Sequence, residues 1–409
     1  MRNPSQNGEV LRVLIANDRL GRKPGTIHGA GRLMIEWSLG FRSTDVQATA
    51  CILRAPDEVG KELLAEGVPF LFFGDGRFNP ASLWRFIRLI RKEKIDVLHL
   101  QGYGATTLGR IAGLLTSTPA LIHLHSCYGD DGAYPAPARL ADRLLRPVTS
   151  KAIAVSKPVR QFCIEELGFR PEQVEVLHNP VPTYGFEAPS GEEVEALRAE
   201  YGLADAGPIV GTISRLDPVK GIDVLIEALP RVLEVVPEAR LLVVGDGSEK
   251  ARLEGQARDL GLGKAVVFAG FRSDIAAHLR LFSLTAIPSV FQEPCPLSAL
   301  ESLAAGVPIV ASRTGGMPEL VEHGRSGLLV EPSDPAVLAA AISRVLAEPA
   351  LMADLGAGAA LRAERFSLGS HLKRLERLYR EAASGSAASE LSTDDRVHGT
   401  IRPSGESLS

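Results

Sequence analysis

The chain has 409 residues, 45% of them apolar and 23% charged, with 45 basic against 49 acidic side chains for a net charge of −4. That length exceeds one ordinary core and calls for two domains. The near balance of charge excludes nucleic acid as a main partner while leaving room for a local basic patch. The cysteines, Cys51, Cys127, Cys163 and Cys295, are scattered without CxxC or metal-finger spacing and read as reduced cytosolic thiols. Residues 1–10 are polar and lead straight into a strand, so no signal peptide is expected. No run reaches the ~20 apolar residues of a membrane-spanning helix. The expectation is a soluble or peripheral protein of the cytoplasm.

The apolar run Leu11 to Ala16 predicts a strand buried on both faces. A glycine-rich loop follows, Gly21 to Gly31, closing on His28-Gly29-Ala30-Gly31-Arg32, with a helix from about Arg32 to Gly40. Strand, glycine loop and helix in that order bring backbone N–H groups toward a phosphate. Further strands are expected at Ala48 to Leu53 and Pro69 to Phe73. Pro80 to Lys94 reads as an amphipathic helix, with Leu83, Phe86, Ile87 and Ile90 on one face, Arg85, Arg88, Arg91 and Lys92 on the other, and Trp84 between. Such a face can lie on anionic lipid, or can be the solvated side of an ordinary packing helix.

Asp96 to Leu100 and Leu121 to Leu124 are strands ending at histidine, which places His99 and His125 where open parallel sheets bind ligands. His125 leads into a loop, Cys127 to Pro137, rich in Gly, Asp and Pro, and is the stronger candidate. Ala152 to Ser156 and Val174 to Leu177 complete the strands of this half. Pro182 to Gly191 is the clearest linker, followed by an acidic helix, Glu192 to Tyr201.

The second half restarts the alternation. Strands at Ile209 to Ser214, Arg240 to Val244, Val266 to Ala269, Leu284 to Pro288, Val307 to Ala311 and Gly327 to Val330 are separated by helical stretches, which implies a parallel doubly wound α/β sheet. Helices are expected at Pro335 to Leu346, Met352 to Arg365 and Leu372 to Ala382, and the polar tail 384–409 reads as disordered.

Two groups of residues carry chemistry. Arg215 and Lys220 fall in the loop after the first strand of this half, ahead of a helix near Gly221, where a bidentate Arg and a point-charge Lys suit a diphosphate. Glu293 and Glu301 bracket a proline-rich turn, with Glu293 ahead of a helix opened by Pro296 and Glu301 on its second turn. Amides at that helix start can hold an anion while the carboxylates accept sugar hydroxyls.

These residues, with VVGDG at Val243 to Gly247, FAGF at Phe268 to Phe271 and the run Ala311 to Val330, resemble family 4 of the retaining glycosyltransferases. The resemblance covers about residues 10–380 and is most specific from Gly211 to Pro332. It implies a GT-B fold: two Rossmann-like doubly wound domains facing a cleft, an acceptor domain at 10–185 and a sugar-nucleotide domain at 192–366, with a helix at 367–383 returning to the first. Arg215 and Lys220 then neutralise the donor diphosphate, Glu301 binds the ribose hydroxyls, and Glu293 contacts the transferred sugar. Gly270, Phe271 and Arg272 are candidates for the nucleoside base, His125 for the reacting sugar, and Gly29 for the phosphates.

Cys295-Pro296 replaces the family's aromatic-Gly after the first glutamate, leaving Cys295 and Leu297 as local N–H donors, because Pro294 and Pro296 have none. The implied activity is transfer of a hexose, with retention, from a UDP- or GDP-sugar to a hydroxyl of a glycan or lipid-linked acceptor in envelope or exopolysaccharide assembly. No metal or other cofactor is implied. The basic helix 80–94 would give peripheral contact with an anionic membrane. A sugar-nucleotide epimerase on the same scaffold, or a non-catalytic sugar-nucleotide-binding subunit, are the competing readings.

Overall fold

The computed structural model describes residues 10–21, 27–68, 70–74, 76, 78–127, 134–183, 186 and 188–385. Its first half is built on a seven-stranded parallel sheet of β1 (Leu11–Asn17), β2 (Val46–Ile52), β3 (Phe70–Phe72), β4 (Val97–Leu100), β5 (Ala120–Leu124), β6 (Lys151–Ala154) and β7 (Val174–Val176). The strands lie in the order β3-β2-β1-β4-β5-β6-β7. A six-stranded parallel sheet forms the second half, from β8 (Ile209–Ile213), β9 (Arg240–Val244), β10 (Val266–Gly270), β11 (Leu284–Ile287), β12 (Ile309–Ser312) and β13 (Gly327–Val330). Its order is β10-β9-β8-β11-β12-β13. Both orders reverse beside the first strand of the half, β1 with β4 and β8 with β11, and such a reversal opens a crevice at the strands' carboxyl ends. The architecture is two Rossmann-like doubly wound domains, the GT-B arrangement that the family resemblance implies.

Local details depart from the sequence expectation. The opening helix is Gly29–Gly40, three residues longer at its start than expected, because His28 Nδ1 accepts the Gly31 N–H at 2.9 Å and caps it. Gly29 and Gly31 therefore belong to a helical first turn; the loop residues 22–26 lie outside the described residues. A Cβ at Gly31 would meet the Leu20 carbonyl oxygen at 2.3 Å, so that helix is pressed onto the loop that follows β1.

Helices Glu58–Ala65, Tyr103–Thr116, Ala136–Leu145 and Lys157–Glu165 are additions to the sequence expectation. In Tyr103–Thr116 the apolar stripe is masked because glycines face the sheet. A Cβ at Gly109 would come within 2.6 Å of Leu100, and one at Gly113 within 2.7 Å of the Thr118 carbonyl. The expected loop Cys127 to Pro137 is helical from Ala136, while 128–133 lie outside the described residues. The final helix, Leu368–Ser384, runs two residues beyond the expected Ala382, and the tail from 386 onward is outside the described residues. Among the described residues no single helix is long and apolar enough to cross a membrane.

That final helix packs Leu372, Leu375, Leu378 and Tyr379 into the first half's core beside Trp37 and Phe41. Trp37 Nε1–H donates to His371 Nε2 at 3.0 Å, so the His371 proton sits on Nδ1 and is donated to the His178 carbonyl at 2.9 Å. His99 bonds Tyr379 Oη at 2.6 Å and His123 Nδ1 at 3.0 Å, and both imidazoles stack on Trp37. His99 is thus a packed core residue, not a ligand contact at a strand end.

Burial pushes His99 down to about 3, His371 to about 4, and His123 well below its ordinary value. Unfolded histidine titrates near 6.5, so below that pH the unfolded chain binds more protons than the folded one. Stability is complete above about pH 6.5 and falls as pH drops toward the depressed values, by up to about 2 kcal/mol per buried histidine at pH 5. The unfolding temperature is expected to fall steadily between pH 6.5 and 5, above the carboxylate range; a flat profile there would contradict neutral burial of this cluster.

Candidate active site

The loop after β8 carries Lys220 on a single turn, Pro218–Lys220, that ends at Gly221 with φ 64°. A Cβ on Gly221 would stand 2.1 Å from the Pro288 carbonyl oxygen after β11, so the close approach and the left-handed backbone both demand glycine. This turn aims Lys220 at the segment after β11. Its Nζ donates to Glu293 Oε1 at 2.5 Å, and Ser289 Oγ donates to the same oxygen at 2.6 Å. Glu293 is 4% exposed, so its charge needs both partners. Lys220, Glu293, Ser289, Ser214 and Ser298 line a small open pocket at the carboxyl ends of β8 and β11. The Ser214 hydroxyl is buried there and makes no hydrogen bond among the described residues.

Gly315-Gly316 holds this loop from below. Gly316 N–H donates to the Glu293 carbonyl at 2.6 Å, and a Cβ on Gly316 would collide with the Pro294 oxygen at 2.0 Å. The helix Leu297–Ala304 then begins at Pro296 and carries Glu301 on its second turn, as expected. Glu301 Oε1 accepts from Arg32 Nη1 at 2.5 Å, across the cleft from the opening helix of the first half. Gly29 faces the same helix, where a Cβ would touch Leu297 Cδ1 at 3.5 Å. The structure therefore gathers Lys220, Glu293, Leu297, Glu301 and Gly29 about one cleft.

The remaining candidates stand differently. Arg215 is exposed and turned onto Asp217. Gly270 ends the edge strand β10 with φ 73°, and Phe271 beside it is 55% exposed. The Arg272 guanidinium is already held by Asp274 at 3.0 and 2.9 Å and by Glu200 at 3.0 Å, so its donors serve the edge of the sheet. Cys295 is buried against the first half, taking the Asn179 N–H on Sγ at 3.4 Å and the Asn179 side-chain amide on its carbonyl at 2.8 Å. Burial pushes its thiol up to about 12, which makes it an inert packing group.

His125 is half-buried just beyond β5, and its Nε2 bonds Gln101 Oε1 at 2.8 Å. Burial first, then His28 and His371, push it down to about 3, so it is neutral at physiological pH. With Gln101 Oε1 as acceptor, Nε2 holds the proton and Nδ1 presents a lone pair. Gln101 and Ser289 escaped the sequence reading because neither belongs to a charged or glycine-marked motif. Asp18 is equally inconspicuous in the sequence, yet its carboxylate takes the Gly104 and Ala105 N–H groups at 3.0 and 2.7 Å, filling the start of helix Tyr103–Thr116.

The family description "Glycosyl transferases group 1" matches residues 193–362, and "Glycosyltransferase Family 4" matches 27–184. The chain belongs to glycosyltransferase family 4. This glycosyltransferase is 32% identical over 314 residues to D-inositol 3-phosphate glycosyltransferase of Acidothermus cellulolyticus, covering 70% of this chain and 67% of the relative. It is 37% identical over 177 residues to the GDP-mannose-dependent alpha-(1-6)-phosphatidylinositol monomannoside mannosyltransferase of Mycolicibacterium smegmatis, over 41% of this chain and 46% of that one. Among solved structures, Anabaena HepE in complex with UDP-glucose matches with a TM-score of 0.76 and 26% identity, over 90% of this chain and 99% of that one.

In the pocket beside β8 and β11, Lys220 and Glu293 form a pair largely sealed from water. Removing one partner of a buried pair strands the other's charge. Lys220→Met is expected to lower the unfolding free energy by about 2–3 kcal/mol in urea titrations. Lys220→Met with Glu293→Gln should recover most of that loss; equal stability of the single variant and the parent would contradict the pairing.

Proposed function

We propose that this enzyme transfers a hexose, with retention of anomeric configuration, from a UDP- or GDP-sugar to a hydroxyl of a glycan or lipid-linked acceptor. Its setting is envelope or exopolysaccharide assembly at the inner face of the cytoplasmic membrane. The observation that carries the reading is the pocket at the carboxyl ends of β8 and β11, where Lys220 meets Glu293 below the start of helix Leu297–Ala304. The HepE complex with UDP-glucose and the GDP-mannose dependence named for the mycobacterial relative support a nucleotide sugar of either kind.

The roles divide by chemistry. Lys220, joined by Arg215 once it leaves Asp217, offsets the charge that grows on the departing diphosphate; one such donor lowers a barrier by about 3 kcal/mol. Glu293, fixed through Oε1, offers Oε2 to hydroxyls of the transferred sugar. Glu301 takes the ribose hydroxyls, and the Gly29 backbone approaches the phosphates. Neutral His125 offers its Nδ1 lone pair to a hydroxyl of the reacting sugar, with Gln101 fixing the tautomer. The acceptor attacks from the face the diphosphate leaves, and a phosphate oxygen takes the acceptor's proton. No metal enters this scheme.

The acceptor's surroundings follow from the helix Pro80–Glu93. Phe86, Ile87 and Ile90 are buried, Arg85, Arg88, Arg91 and Lys92 are exposed, and Trp84 is 71% exposed. An exposed tryptophan beside a row of cations suits the interface of an anionic bilayer. Changing Arg85, Arg88 and Arg91 to Glu is expected to abolish sedimentation with anionic liposomes while leaving nucleotide binding intact; undiminished sedimentation would reject this helix as the anchor.

A thermal-shift panel of UDP-, GDP- and ADP-sugars is expected to single out one nucleotide by a rise in unfolding temperature at saturation. With that donor, Lys220→Ala and Glu301→Ala should each cut transfer at least about tenfold, or about 1.4 kcal/mol. Near-parental turnover in both would contradict the assignments.

A further inference from the structure

Arg32 belongs to the first half, yet its guanidinium serves the second. It lies in the first turns of helix Gly29–Gly40, and its Nη1 meets Glu301 Oε1 at 2.5 Å. The Glu301 side chain is 3% exposed and that of Arg32 23%, so the carboxylate is buried with its counter-charge delivered from across the cleft. Glu301 Oε2 makes no hydrogen bond among the described residues. One turn further along the same helix, Glu36 takes the Thr183 N–H at 2.7 Å and its hydroxyl at 2.6 Å, fixing the helix to the segment that joins the halves. The helix that carries Arg32 is thereby held in register with the linker, and Gly29 lets it approach Leu297 at the start of the helix bearing Glu301.

We propose that Arg32 is a positioning residue for nucleoside recognition: it fixes the Glu301 carboxylate by one oxygen so that the other meets the ribose hydroxyls. This rests on the reading that Glu301 binds ribose. Charge-assisted pairing orients a carboxylate more strictly than water does. A site built to hydrogen-bond a hydroxyl rejects the analogue lacking it, because its polar group is then left unpaired. Discrimination against a missing ribose hydroxyl therefore depends on Arg32, and the ribose subsite is complete only when the acceptor half is closed over the donor half.

The test is calorimetric titration of the full chain with UDP, GDP and ADP, each beside its 2′-deoxy counterpart. The parent is expected to prefer its ribonucleotide by tenfold or more, and Arg32→Ala to reduce that preference to threefold or less. Arg32→Lys should retain an intermediate ratio. A purely structural loss would weaken ribo and deoxy forms alike and leave the ratio unchanged, so an unchanged ratio in folded Arg32→Ala, with circular dichroism matching the parent, overturns the proposal. Glu301→Ala separates the two readings. If it keeps the parental ratio, the ribose assignment itself fails and the proposal with it; if it loses the ratio while Arg32→Ala keeps it, only the role of Arg32 is lost.

Discussion

Two buried carboxylates govern this structure. A carboxylate out of water must be paired or it will not remain ionised there. Each glutamate of the pair meets that demand with a cation from a distant part of the chain: Glu293 from Lys220 in the loop after β8, Glu301 from Arg32 in the opening helix of the other half. Each is held through one oxygen, and among the described residues the second makes no hydrogen bond. In the function proposed above, the pairing that satisfies the unliganded protein also arranges the acceptors for a polyhydroxylated ligand.

The same demand couples the halves. Glu319, from the run after Gly315-Gly316, takes the Lys157 N–H at 2.8 Å and His178 Nε2 at 3.0 Å, both from the first half. Asn179 closes on Cys295, and Val181 N–H donates to the Phe366 carbonyl at 2.8 Å. The final helix returns to bury Tyr379 and His371 against Trp37, with Arg374 and Arg377 reaching Glu175. Polar contacts that would be costly to leave unmade thus join the two halves, and the position of Glu301 in the second half depends on the first.

Much of this was legible in the sequence because it rests on local rules. Continuous apolar runs gave strands buried on both faces, their alternation with helical stretches gave two parallel sheets, and the glutamates around Pro296 marked the helix start. What was hidden depends on tertiary contact. Gly109 and Gly113 broke the apolar pattern of helix Tyr103–Thr116 because they face the sheet closely. His99 looked like a ligand at a strand end until the returning helix supplied Tyr379. Arg272 is held by Asp274 and Glu200, partners its position after FAGF does not reveal. The Cys295 side chain, unmarked by any motif, packs against Asn179 of the first half. Gln101 and Ser289 carry no motif of their own, and the Arg32 that closes the glycine-rich loop shows its partner, Glu301, only in the fold.

The most direct measurement is a crystal structure of the full chain soaked in its stabilising nucleotide sugar. Diphosphate density between Lys220 and the first turn of helix Leu297–Ala304, with ribose at Glu301 and the hexose at Glu293, is the expected result. Density lodged elsewhere, with Lys220 still closed on Glu293 and the pocket between β8 and β11 unchanged, would contradict it.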